Sequence, residues 1–339
     1  MIVPMAATTP SDQARFGGFS LPRSGIHPSV PLANTVCPST ILALVTSPSA
    51  APRRPYLVGL VGSGVLPSFT PPMHMAEAAA LGVSYVYRPI DLDALGLVPE
   101  RLPEILDWAR ALGYDALNIT FPCKRAVVDL LDHVDPTALR LGSVNTVVFT
   151  DDAGAVGYNT DTSGYERAFR AGLPGADLGR VVLLGAGGGG SGVADALLRL
   201  GAARLTIVDV DGERAAELAS ALGSHRHAQV DSATPADLPD ALADATGLVN
   251  CTPIGMHHHP GMPLDEALLR GDLWVSDIVY RPLRTRLLTV ARGLGCATLD
   301  GGRMAVFQAV EAMELITGLQ PDPRRMREHF LHLLAAEQN

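Results

Sequence analysis

Residues 181–197, VVLLGAGGGGSGVADAL, restrict the fold more than any other stretch of this chain. Four apolar residues run into a cluster of glycines, and an alanine-rich pattern of helical period follows directly. Gly185, Gly187 and Gly190 satisfy G-x-G-x-x-G, with Gly188 inside the same run. The first glycine allows a tight turn, the second lets a phosphate approach the backbone, and the third lets helix and strand pack closely. A helix starting there turns free N–H groups and its positive dipole end toward an anion. The strand that follows such a helix must lie parallel to the first, so the chain is committed to α/β construction.

The next apolar run, LTIVD, ends at Asp209, 24 residues after Gly185. A carboxylate there accepts the ribose hydroxyls of NAD and repels the 2′-phosphate of NADP. A plain cap on the following helix, DGERAAELASAL, is the other reading of Asp209. Arg214 is close enough in sequence to meet a phosphate, and is expected on the exposed face of that helix.

Around this unit, apolar runs alternate with helical patterns. YLVGLVG (56–62), VSYVYRPI (83–90), ALNI (116–119) and VNTVVF (144–149) read as strands of a first α/β unit. PPMHMAEAAALG, PERLPEILDWARALG and KRAVVDLLDHV are the helical segments between them. RVVLLG, RLTIVDVD, GLVNCTP, LWVSDIVY and CATLD continue a second unit, and residues 303–339 read as helical with a break near GLQPDP. The first 50 or so residues have neither period and are rich in Pro, Ser, Thr, Ala and Gly. They read as a disordered tail, or as translation from an upstream start.

The 339 residues carry a formal net charge of −9 and no basic run, which argues against nucleic acid and acidic membrane surfaces as partners. No apolar run approaches the ~18 residues of a membrane span. Cys37, Cys123, Cys251 and Cys296 have no ligand spacing, so no metal site is expected and a reducing cytoplasm fits. Three histidines in MHHHPGM (256–262) point different ways and read as an exposed loop. Cys123, next to Lys124, has a cation that could activate its thiol slightly, but nothing makes it a nucleophile. His74, Trp108 and Trp274 have no evident partners.

Of 26 basic residues other than histidine, only Lys124 is a lysine. Arginine keeps its proton at any ordinary pH, whereas lysine can give and take one. Lys124 stands in NITFPCKRA, where NIT ends a strand and Pro122 is expected to begin a helix. That places Asn118, Thr120 and Lys124 at the carboxyl end of a strand, where open α/β sheets place ligands. Ser68 and Thr70, in VLPSFTPPMH, precede a helix start marked by two prolines and can donate hydrogen bonds to a carboxylate, or simply cap the helix. GSVNTVV brings Asn145, and GYNTDTSGYERAF brings Asp161, into polar spots beside strands; Asp161 could equally be an N-cap.

The order SFTPPMH, NITFPCK, GSVNTV, GYNTD, GAGGGG, NCTPIGM, DIVYRPLRT, DGGRMAVFQA resembles the shikimate/quinate dehydrogenase family from Tyr56 onward. The resemblance implies a substrate domain (53–161 with 303–339), an NAD-binding Rossmann domain (162–302), and C-terminal helices returning to the first. It implies Lys124 and Asp161 as the catalytic pair. Ser68, Thr70, Thr120, Asn145, Tyr280 and Gln308 would bind substrate; Gly185, Gly187, Gly188, Gly190, Asp209, Arg214 and Thr252 would bind the cofactor. Two departures stand out. Thr70 replaces the family's usual serine, and Val208-Asp209-Val210 replaces the Asn-Arg-Thr whose arginine holds the phosphate of NADP. Both favour the NAD-using branch that oxidises quinate as well as shikimate. The alternatives are the NADP-dependent biosynthetic reductase and a non-catalytic ligand-binding regulator on the same fold. The expected partner is a small hydroxylated ring carboxylate, with the protein a monomer or homodimer.

Overall fold

The computed structural model describes residues 54–223, 228–257 and 259–337. The expected tail, Cys37 and His258 lie outside these. Two six-stranded sheets are built in sequence. The first contains β1 (Tyr56–Gly62), β2 (Tyr85–Asp91), β3 (Ala116–Ile119), β4 (His133–Val134), β5 (Thr146–Thr150) and β6 (Gly154–Tyr158), in the order β2-β1-β3-β5-β6-β4. The second contains β7 (Arg180–Leu184), β8 (Arg204–Val208), β9 (Gln229–Ala233), β10 (Gly247–Asn250), β11 (Trp274–Asp277) and β12 (Ala297–Leu299), in the order β12-β11-β10-β7-β8-β9.

The second sheet is parallel throughout, and its central strands are buried on both faces, so they are written as unbroken apolar runs. The first sheet is mixed: β1, β2 and β3 are parallel, while β5 runs antiparallel to both β3 and β6. Pro89, in β2, is tolerated because β2 is an edge strand. Three strands escape the sequence pattern. β4 has two residues, β6 (GAVGY) is diluted by glycine, and β9 (QVDSA) is a polar edge strand.

The helices are α1 (Thr70–Ala80), α2 (Leu92–Leu95), α3 (Leu102–Ala111), α4 (Pro136–Leu141), α5 (Asp161–Gly172), α6 (Gly188–Leu200), α7 (Gly212–Gly223), α8 (Leu238–Ala243), α9 (Arg286–Gly293), α10 (Gly302–Thr317) and α11 (Pro323–Glu337). α10 packs on α5 and α11, and α11 on α1, so the C-terminal helices do return to the first half of the chain. Glycines let the helices around α5 come close: a Cβ on Gly164 would lie 2.9 Å from Cβ of Gln308 in α10, and one on Gly192 in α6 would lie 2.8 Å from Cβ of Asp161.

The first half is also held to the nucleotide sheet by charge. Asp195 of α6 is 2% exposed and pairs with Arg140 of α4 at 2.9 Å and with Arg199 at 2.7 Å. Arg199 in turn donates to Thr137 at 3.2 Å. Removing the carboxylate leaves two arginines facing each other. Because both arginines are partly exposed, Asp195→Ala is expected to cost about 2 kcal/mol, below the loss for a wholly buried pair. Chemical denaturation of the variant checks this, and an unchanged midpoint would mean the cluster contributes no net stability.

Candidate active site

Lys124 does not sit on a helix. Residues 121–127 form successive turns that end in a short 3-10 segment, Val128–Leu130. The reason lies in one backbone bond: Val144 N–H donates to the Lys124 carbonyl at 2.9 Å, taking the acceptor that a helix would have used. The loop is thereby tied to the segment that carries Asn145 into β5. Thr120 N–H donates to Val61 O at 2.9 Å and Ser63 N–H to Phe121 O at 2.9 Å, which fixes Thr120 beside the end of β1.

Asp161 opens α5, with Thr160 at the N-cap, and its carboxylate does no capping. Its Oδ2 meets Lys124 Nζ at 2.5 Å, and its Oδ1 accepts from Asn145 Nδ2 at 3.0 Å. Asn145 is 2% exposed and also reaches Thr160 Oγ1 (3.0 Å) and Gln308 Oε1 (3.4 Å). Its Oδ1 accepts Thr160 N–H at 2.9 Å. Lys124 and Asn145 thus meet at one carboxylate, and Asn145 links it to Thr160 and Gln308. The Asp161 side chain is 4% exposed and that of Lys124 17%, so the lysine is the member that solvent or a ligand can reach.

Ser68 and Thr70 form a second group. The Ser68 hydroxyl accepts Thr70 N–H at 3.2 Å. Burial, only partly offset by the neighbouring Ser68 hydroxyl, pushes Tyr280 up. Its ring packs against Phe330 of α11 at 6.1 Å. Ser68 does not cap α1, whose N-cap is Phe69.

The glycine loop lies directly against the lysine. A Cβ on Gly188 would be 3.0 Å from Lys124 Cβ and 3.0 Å from Ser143 Oγ. Gly185 has φ +97°, and a Cβ on Gly190 would fall 1.9 Å from Gly185 O, so neither tolerates a side chain. Nothing lies within 4 Å of where a Gly187 Cβ would stand, which leaves the loop crest open to a pyrophosphate. Asp209 is 6% exposed. Its Oδ2 accepts Ala186 N–H at 2.6 Å, and its Oδ1 accepts Asp211 N–H at 2.9 Å and Arg214 Nη2 at 2.7 Å. Burial opposes ionisation, but these donors together hold the carboxyl below its ordinary value. Arg214 is therefore not turned to solvent as expected: the buried anion draws the guanidinium back across the first turn of α7. The residues fit a dinucleotide: an open glycine cradle at a helix N-terminus, with an ionised carboxylate at the end of β8. Thr252 spends its hydroxyl on its own loop, donating to Asn250 Oδ1 at 2.7 Å and accepting Ile254 N–H at 3.2 Å.

The structure adds groups with no sequence signal. Tyr87 OH donates to Asn118 Oδ1 at 2.5 Å, and Asn118 Nδ2 donates to Thr146 Oγ1 at 2.9 Å. His74 is fully buried beside Tyr85 (Nδ1 to OH 3.2 Å), and burial pushes its imidazole down to about 3, so it stays neutral. Trp274 Nε1 donates to Asp177 O at 2.7 Å. These pairings join residues of different strands and loops, which no local pattern shows. Lys124 does not activate Cys123: burial raises its thiol to about 11, in keeping with the expectation that it is no nucleophile. His257 and His259 are exposed, as expected of that loop.

Asp277, at the end of β11, orders the 250–256 loop. It accepts from Asn250 Nδ2 (3.0 Å), Val279 N–H (3.0 Å) and Thr285 Oγ1 (2.7 Å). Burial outweighs these donors and raises the carboxyl from 3.8 to about 6. Between those values the folded chain binds more protons than the unfolded one, so stability falls as pH rises through the window, by about 3 kcal/mol in all. Asp277→Asn should flatten melting temperature against pH across that range; an unchanged slope would assign it to another group.

Comparison with known proteins agrees with this geometry. A family model for the shikimate dehydrogenase substrate binding domain matches residues 60–147, and one for the saccharopine dehydrogenase NADP binding domain matches 181–259. The chain is 56% identical to a shikimate dehydrogenase (NADP(+)) of Pseudarthrobacter chlorophenolicus, over 84% of this chain and 97% of that one. It is 48% identical to a quinate/shikimate dehydrogenase (NAD(+)) of Corynebacterium glutamicum, over 82% and 98%. A solved quinate dehydrogenase from Corynebacterium glutamicum in complex with NAD superposes with a TM-score of 0.76 at 47% identity, over 82% and 99%. With the lysine–aspartate pair set against a dinucleotide loop and both halves matched, the chain belongs to the shikimate dehydrogenase family of oxidoreductases.

Proposed function

We propose that this enzyme oxidises the C3 hydroxyl of quinate, shikimate or both with NAD as the acceptor. The observation that carries the reading is the Lys124–Asp161 contact of 2.5 Å, held by Asn145 and lying against Gly188. We assign residues 53–161 with 303–339 to the substrate and 162–302 to the dinucleotide. The ring carboxylate is bound by Ser68 and Thr70, and the ring hydroxyls by Thr120, Asn145, Asp161 and Gln308.

A bound nicotinamide dinucleotide supplies the hydride acceptor. The protein supplies the rest. Lys124 takes the hydroxyl proton as the C–H bond breaks. Asp161 then stabilises the ammonium so formed, and Asn145 keeps the carboxylate from rotating away. Glycine at 188 leaves no side chain between the lysine and the loop crest.

For the cofactor, a buried carboxylate at Asp209 favours ribose hydroxyls over a 2′-phosphate. A second reading has a specific basis: Arg214 neutralises much of that charge, and the relative at 56% identity carries the NADP(+) name. Steady-state assays of quinate and shikimate, each with NAD and NADP, separate the two. Preference for NAD of tenfold or more is expected, with Asp209→Ala moving the ratio toward NADP; a wild-type preference for NADP with shikimate alone would establish the second reading. Lys124→Arg is expected to keep substrate affinity and lower kcat by about 10²–10⁴-fold. Turnover within a few-fold of wild type would end the proton-transfer assignment.

A further inference from the structure

We infer that Arg281 is a positioning residue that holds the carboxylate-binding segment 66–70 in place, and so sets affinity for the acid substrate. The inference rests on the assignment of Ser68 and Thr70 to the substrate carboxylate.

Arg281 belongs to the connection between β11 and α9, in the nucleotide half, yet its side chain is spent on the first half. One guanidinium nitrogen donates to the Pro67 carbonyl and another pairs with Glu337 near the end of α11. The guanidinium carbon lies 4.7 Å from the centroid of the Phe69 ring. Residues 67 and 69, on either side of Ser68, are therefore both gripped by Arg281.

The other side of the segment is fixed separately: Gly64 N–H and Leu66 N–H donate to the Asp91 carboxylate at 3.1 and 2.9 Å. Arg281 completes the frame. Its own carbonyl accepts His257 N–H at 3.4 Å, which ties the same residue to the loop that follows Thr252. Only 18% of the arginine side chain is exposed. A lysine could reach Pro67 O or Glu337, but it has no planar fork to serve both while lying over an aromatic face.

Loss of the fork frees the Ser68 and Thr70 hydroxyls to move before the acid binds, so ground-state affinity suffers while the Lys124 chemistry, tied to other strands, is largely kept. Wild type, Arg281→Met and Arg281→Lys should be compared by steady-state kinetics on quinate and shikimate, with melting curves alongside. Arg281→Met is expected to raise KM for the acid about tenfold, with kcat down less than threefold and KM for the dinucleotide within twofold; Arg281→Lys should fall between. A KM for the acid within twofold of wild type overturns the inference, as does a parallel rise in both KM values, which would mark a general loss of structure. If the Met variant does not fold, Arg281→Lys decides: a threefold rise supports the role and no rise overturns it. A wild type that oxidises neither acid overturns the proposed function and this inference with it, whereas an active wild type with an indifferent Arg281 overturns this inference alone.

Discussion

The buried carboxylate of Asp161 is what the rest of the site is arranged around. A carboxylate at 3% exposure is costly unless its lone pairs are filled, and here Lys124 and Asn145 fill them. Each donor is itself constrained. Lys124 sits on a loop pinned to Val144, and Asn145 is locked through Thr160 and reaches Gln308. The loop of Lys124 and the segment of Asn145 are thus brought to α5 by the need to satisfy a single buried charge, and Asn145 carries the contact on to α10. The same constraint leaves Lys124 with one fixed partner and one accessible side.

Close backbone approach is the second constraint. Gly188 against Lys124, Gly192 against Asp161 and Gly164 against Gln308 are places where a methyl group would displace a functional side chain. Glycine here acts as a spacing device between helices and not only as a turn residue. It lets the nucleotide loop and the lysine share one wall, as the proposed coupling of hydride and proton transfer requires.

Charge at the adenosine end shows how tertiary structure qualifies a sequence rule. Asp209 by itself reads as a selector for NAD. In the folded chain it carries three donors, one of them the charged Arg214, which offsets part of its charge. In the proposed reading, cofactor choice rests on a pair of residues and not on one.

The sequence by itself determined the α/β class, the parallel nucleotide unit and the candidate reacting groups, because each depends on local periodicity or a short motif. Alternation of apolar runs gave β7 through β8, and the lone lysine beside Thr120 and Pro122 gave the candidate base. It could not place the polar strands β4, β6 and β9, whose pairing comes from neighbours across the sheet. Nor could it show that Lys124 leaves the helical path, since the competing hydrogen bond comes from Val144, 20 residues away. Tyr87–Asn118, Arg214–Asp209 and Arg281 over Phe69 were decided only by folding. They are contacts between side chains whose distance depends on how sheets and helices stack, and a linear pattern does not contain that information.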